Sequence, residues 1–393
     1  LFTAASLACG VARSQGMLII ARAVQGLGGA VVSAVALSLI MNLFTEAGER
    51  AKAMGVYGFV CAGGGSIGVL LGGALTSTLS WHWIFLVNLP VGIAIYIACL
   101  RMLPDSRGQA EGVKLDVAGA VSITLSLMLA VYAIVNGNQV GWTSVQTLAM
   151  LGAAVILFAL FLVIESRVAS PLVPLGLFKL RNLSVSNVIG VLWSAAMFAW
   201  FFVSALYMQL VLGFDAMRVG IAFLPANVIM AAFSLGLSAK IVMRWGIRTP
   251  LALGLVLAAA GLALFARAPV SGTMLVDVMP GMVLLGVGAG MALNPLLLAA
   301  MGDVKPSDSG LASGVVNTAF MMGGALGLAV LASLADARSD VLRASGANAA
   351  AALTGGYQLA FLVGTAFALV AAALGAFLLR PTAANTTAAE HVA

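Results

Sequence analysis

The sequence predicts an all-α integral membrane protein of about twelve spans, with an internal repeat between its two ends. Three observations carry this reading. Only 8% of the 393 residues are charged and 62% are hydrophobic, with mean hydropathy +1.12; soluble domains carry roughly 25% charge. Apolar runs of roughly 18–28 residues recur from end to end, the length a helix needs to cross a bilayer and not the alternating ten-residue pattern of a membrane barrel. A Gly-rich pattern near residue 25 returns near residue 285. In lipid the backbone must satisfy its own hydrogen bonds, so these runs become helices. The 45 glycines lie largely inside them and mark close helix packing.

In order, the spans are expected near 1–13, 17–42, 53–78, 84–101, 116–135, 146–164, 184–212, 218–243, 249–267, 274–300, 310–334 and 357–379. The first four form an N-terminal bundle, 1–101. The next pair, with its linkers, fills 102–183. The last six make a C-terminal bundle, 184–380, and 381–393 reads as a disordered cytoplasmic tail. Orientation follows from Lys and Arg. Thirteen lie on one set of loops, among them Arg50, Lys52, Arg101, Lys179, Arg181, Lys240 and Arg380; five lie on the other, Arg13, Arg218, Arg267, Arg338 and Arg343. The richer side is cytoplasmic, and both visible termini fall on it.

Composition excludes several function classes. The positive charges are scattered through short loops, which is a topology signal and not a nucleic-acid footprint. Cys9, Cys61 and Cys99 lie in apolar spans at spacings that fit no metal site and read as small buried hydrophobes. His82 and His391 are too far apart for a metal or a catalytic triad, and no phosphate-binding Gly-Lys-Ser/Thr loop occurs. No enzyme, metal or cofactor is expected.

The most informative residue is Arg22, a permanent charge near the start of the second apolar run. Keeping it in hydrocarbon costs at least about 2.5 kcal/mol, so it is expected to face a partner or a water-filled path. Gln25 is three residues on and shares its helix face. Gly26, Gly28 and Gly29 follow, letting a neighbouring helix come close. The same string returns some 260 residues later as Leu285-Gly286-Val287-Gly288-Ala289-Gly290, with no charge at the matching place. Repeated halves around a central cavity are a transporter signature.

Taken together, these motifs resemble the major facilitator superfamily, in its fourteen-helix drug:proton antiporter branch. Arg22-Ala23-Val24-Gln25-Gly26-Leu27-Gly28-Gly29-Ala30 resembles that branch's fourth-helix motif, whose arginine is implicated in proton coupling. Gly68-Val69-Leu70-Leu71-Gly72-Gly73 resembles the fifth-helix antiporter motif, with Val69 in place of its proline. Trp81-His82-Trp83-Ile84-Phe85 and Asn88-Leu89-Pro90 resemble the junction that follows, with His82 in place of arginine. Gly236, Lys240, Arg244, Gly246 and Arg248 resemble the second copy of the basic loop motif; Gly310 to Gly314, Asn317, Gly323 and Gly324 resemble the thirteenth helix.

The resemblance implies a major facilitator fold of two pseudo-symmetric bundles, with 116–135 and 146–164 as two extra helices between them, and proton-coupled efflux of hydrophobic or cationic drugs by alternating access, in the cell membrane, by a monomer. A periplasmic adaptor is a candidate partner. Metabolite or sugar transport, or an inactive fragment of a transporter, are the competing readings. On this alignment the first visible span is helix three, and helices one and two with their acidic residues are expected upstream of Leu1.

Other candidates follow from residue type and place. Asp277, set among apolar neighbours at the start of a span, is a candidate proton site or a helix-start acid. Trp193 and Trp200, seven apart on one face, together with Gln209, Asn227, Asn294 and Asn317, are candidates for a cavity suited to flat lipophilic cations. Asn294 precedes Pro295, where the helix is expected to unwind.

Overall fold

The computed structural model describes residues 1–43, 53, 56, 60, 64, 68, 71–102, 116–169, 171–305 and 308–380. The charged loop near Glu46, Val69, Cys61 and the tail lie outside the described residues. Nine of the described helices are long and apolar enough to cross a membrane.

The chain divides into two compact units, 1–112 with 214–224, and 113–213 with 225–393. In the first, α1 (Phe2–Gly10) and α2 (Gln15–Leu43) are followed by a helical stretch at 71–78, then α3 (Trp83–Leu86) and α4 (Asn88–Met102). The second holds α5 (Val117–Val140), α6 (Val145–Arg167) and α7 (Arg181–Leu206), which runs into a π-helical turn at Tyr207–Val211. Then come α8 (Ala216–Ala232), whose first half belongs to the first unit, α9 (Ser238–Trp245), α10 (Arg248–Phe265), α11 (Met279–Met301), α12 (Ser309–Ala344) and α13 (Ala349–Leu378).

Four elements differ from expectation, one of them α13, which begins at Ala349 and not near 357. The span expected over 218–243 is two helices, because Gly236 adopts φ 120° within a π-helical turn at Phe233–Leu237; only glycine takes that conformation readily. Helix α12 continues to Ala344 beyond the apolar run, since Asp336, Arg338, Asp340 and Arg343 end its hydrophobicity without ending its hydrogen bonding. Helix α11 passes through Pro295 without unwinding at Asn294.

The two central helices pack within the second unit. Ser126 donates to Ala154 O at 2.7 Å, joining α5 to α6, and Asn138 Nδ2 donates to Ser333 O at 2.6 Å, joining α5 to α12. Elsewhere in this unit small residues set the contacts, as expected where lipid supplies no hydrophobic drive for helices to associate. On α12, a Cβ at Gly323 would stand 2.6 Å from Val191 Cα, and one at Gly324 2.7 Å from the Phe198 ring. Between α10 and α11, a Cβ at Gly254 would stand 2.8 Å from Gly288 O, and one at Gly261 2.9 Å from Gly281 O.

The last carbonyls of a helix need donors from outside it. At the end of α13, Arg181 Nε donates to Leu378 O at 3.1 Å and Arg248 donates to Ala376 O. Asn182, 2% exposed, donates to Arg380 O at 3.3 Å and accepts from Arg380 N at 2.9 Å. Asn182→Ala removes both bonds and is expected to cost about 1–3 kcal/mol. The check is thermal unfolding followed by tryptophan fluorescence: the midpoint falls by several degrees, whereas an unchanged midpoint would mean the clasp contributes nothing.

Candidate functional site

The best-formed polar constellation lies where α1 crosses α2. Ser6 and Cys9 are three apart on α1 and share a face, and both are fully buried. Gln25, 3% exposed, presents its amide to them from α2. Gly28 makes this possible: a Cβ there would stand 2.6 Å from Phe2 N, so only a bare backbone lets the helices meet at this depth. Gly26 has open space around it, and a Cβ at Gly29 would lie 3.8 Å from Phe2, so Gly28 alone of the three makes the tight contact.

Arg22 Nη1 donates to Gln25 Oε1 at 2.5 Å, Gln25 Nε2 donates to Ser6 Oγ at 2.6 Å, and Ser6 Oγ donates to Phe2 O at 2.9 Å. Arginine can only donate, which fixes the amide with its oxygen toward Arg22 and its nitrogen toward Ser6. Cys9 Sγ adds a weak contact to the same amide oxygen at 3.8 Å. The chain therefore runs in one direction from a permanent cation to a backbone carbonyl. Its guanidinium also lies over the Phe85 ring, 5.7 Å from the centroid, a cation–π contact.

Phe85 is held by the junction that precedes α4. Trp81 stacks on His82 with centroids 3.8 Å apart and meets Phe85 edge-on at 6.2 Å, and Asn88 Nδ2 donates to Phe85 O at 3.2 Å. Of the nearby glycine motif, a Cβ at Gly73 would stand 2.7 Å from Ala216 O, whereas Gly72 approaches Ile84 only at 3.9 Å and Gly68 touches nothing within 4 Å. The close approach expected of the motif is thus made at Gly73.

Arg22 differs from expectation in one respect. Its side chain is exposed in the first unit, and among the described residues it makes no ion pair; its partner is a neutral amide. Phe85 against Arg22, and Ser6 and Cys9 against Gln25, are contacts that sequence reasoning did not connect to the site. A Ser and a Cys at i and i+3 on the preceding apolar run were the available signal.

The remaining candidates fall mostly in the second unit. Asp277 is half-buried and its Oδ2 accepts from Thr273 N at 2.6 Å and Thr273 Oγ1 at 3.3 Å, the arrangement of a helix-start acid. Trp193 and Trp200 are both 0% exposed, inside packed helix interfaces and not on an open wall. Asn227 is buried and Asn294 half-buried, while Gln209 and Asn317 are exposed. In the basic loop, Lys240 and Arg244 are exposed, Gly246 ends α9 at φ 72°, and Arg248 serves as the clasp on α13.

The order of charges and glycines along α2 agrees with a wider comparison: the model of the Major Facilitator Superfamily matches residues 1–328. The chain belongs to the major facilitator superfamily. This major facilitator protein is 36% identical over 327 residues to the puromycin resistance protein pur8 of Streptomyces alboniger, covering 83% of this chain and 65% of that protein. It is 34% identical to the multidrug resistance protein Stp of Mycobacterium tuberculosis, covering 83% and 60%, and 34% identical to the cephamycin export protein CmcT of Amycolatopsis lactamdurans, covering 82% and 67%. The chain thus spans 60–67% of the length of these curated relatives, less than two thirds for the first two. Its family and relatives are transporters, and its apolar helices are those of a multi-span membrane protein.

Internal symmetry runs through this major facilitator chain as well. Gly28 and Gly288 are 260 residues apart, and each lies against the helix that precedes its own, α1 and α10 respectively. The second copy carries no charge at the position of Arg22, so the polar chain is built in the first unit alone.

Proposed function

We propose that the protein exports hydrophobic, often cationic compounds in exchange for protons, by alternating access. The observation that carries this is the one-way chain Arg22–Gln25–Ser6, a fixed cation held by a neutral amide at a helix crossing. An arginine held by an amide and an aromatic ring, with no ion pair among the described residues, is free to take a stronger partner, and the exchange between partners is what a proton can control. Relatives named for resistance to puromycin and for export of cephamycin support the substrate class. Arg22, Gln25 and Asp277 are the proposed coupling residues, and Asn227 and Asn294 the proposed polar points of the substrate path, with Trp193 and Trp200 reaching it only when their interfaces open. The loops with most Lys and Arg face the cytoplasm, and the cell membrane is the proposed location.

The test is accumulation of a fluorescent lipophilic cation in a susceptible bacterial host. Cells making the protein hold several-fold less dye than controls, and an uncoupler removes the difference. Uptake driven by inward protons, or a difference that survives the uncoupler, would contradict the proposal.

A further inference from the structure

The two central helices carry a second polar site, in the second unit, that the export reading does not use. Asp116 caps the start of α5 and Glu165 lies in the last turn of α6, at 7% and 4% exposure. Each carboxylate spends one oxygen locally: Asp116 Oδ1 accepts from Gly119 N at 2.8 Å, and Glu165 Oε2 accepts from Val173 N at 3.1 Å. The other oxygen of each, Asp116 Oδ2 and Glu165 Oε1, is buried without a hydrogen-bond partner. Both orphans border the bare Cα of Gly119. A methyl there would strike Asp116 Oδ2 and stand 3.0 Å from Glu165 Oε1.

The charges that face the pair do not neutralise it. Helix α6 contributes Arg167, which is exposed and in no ion pair among the described residues. Helix α12, also packed on α5, carries its charges at Asp336, Arg338, Asp340 and Arg343, near the end where Asn138 meets Ser333. The segment 171–174 offers backbone only, Lys179 beyond it is exposed, and Lys114 lies outside the described residues. Two buried carboxylates with no cation facing them among the described residues cannot both stay ionised at modest cost. Two acceptors without a donor between them are satisfied together by one hydrogen, since a protonated carboxyl donates to its ionised neighbour.

We infer that Asp116 and Glu165 form a binding site for one proton, shared between the two oxygens that border Gly119 at the common end of α5 and α6. No bond other than the O–H is made or broken; the proton comes from solvent on that side of the membrane and returns to it. Because Glu165 Oε2 also holds Val173 N, the site ties the returning segment 171–174 to α6, so its occupancy sets how firmly that segment is held.

Infrared spectroscopy of the purified protein at neutral pH, in choline chloride, tests this. A protonated-carboxyl C=O band is expected in the wild type, shifted in D2O, and absent from both Asp116→Asn and Glu165→Gln. Either amide supplies N–H groups to the remaining carboxylate and preserves the packing. Should one variant fail to fold, the other alone decides, because a shared proton needs both carboxyls. An unchanged band in a folded variant overturns the inference. So does a wild type without the band whose unfolding midpoint rises on replacing choline with sodium or magnesium, which would make the pair a cation site.

Discussion

Arg22→Gln is expected to lower the rate of drug export by about 10- to 150-fold while leaving drug binding within a few-fold of wild type. A hydrogen bond with one charged member contributes roughly 1.5–3 kcal/mol, and that energy is available to bias the exchange of partners only while the cation is present. Glutamine keeps a polar group of similar reach but no charge, so the loss isolates the cation. Arg22→Lys is expected to recover only part of the rate. Lysine keeps the charge, but its compact ammonium lacks the planar fork that meets the Gln25 amide while lying over Phe85. Steady-state export by cells, set beside binding of labelled drug to purified protein, separates the two quantities. Export unaffected by Arg22→Gln would remove this residue from the coupling.

The second large effect is on folding. Gly288→Ala is expected to destabilise the second unit by about 1–3 kcal/mol, because its methyl would meet backbone, not yielding side chains. A Cβ at Gly288 would stand 2.5 Å from both Ala258 N and Gly254 O, so α10 and α11 must part to admit it. Gly314→Ala on α12 is the matched control, since a Cβ there meets nothing within 4 Å. In a helix interior that exchange is neutral or slightly stabilising. Thermal unfolding midpoints of the two variants should therefore move apart; equal midpoints would show that the α10–α11 approach is not limiting.

How much of this was legible beforehand depended on the kind of signal. Length and apolar runs predicted the helices, because membrane crossing is a requirement on twenty consecutive residues. The same rule misjudged the end of α12 and the start of α13, since helical hydrogen bonding continues past Asp336 and begins at Asn348, where hydropathy is silent. It also read one span where Gly236 makes two, because a single φ of 120° leaves no trace in an apolar average.

At the site, the spacing of Arg22 and Gln25 put them on one helix face, and there they are hydrogen-bonded to each other. What spacing could not supply was the partner across the crossing. Ser6 and Cys9 looked like small residues of an apolar run, and only the approach at Gly28 turns them toward the amide. The aromatic pair shows a different limit of spacing. Trp193 and Trp200 do share a face, but a face on a central helix is as readily a packing surface as a cavity wall, and both indoles are fully buried. Asp116 and Glu165 stood 49 positions apart at the ends of two unremarkable spans, and nothing short of the folded pair brings them together.

The central claim is that export is driven by protons through the Arg22 chain, and proteoliposomes test it most directly. A pH gradient is imposed with the interior acidic, and accumulation of a lipophilic cationic drug is followed for the wild type, Arg22→Gln and Gln25→Leu. The account predicts accumulation that requires the gradient and collapses in both variants, although each still binds drug. Accumulation without a gradient, or gradient-driven accumulation that survives Arg22→Gln, would contradict it.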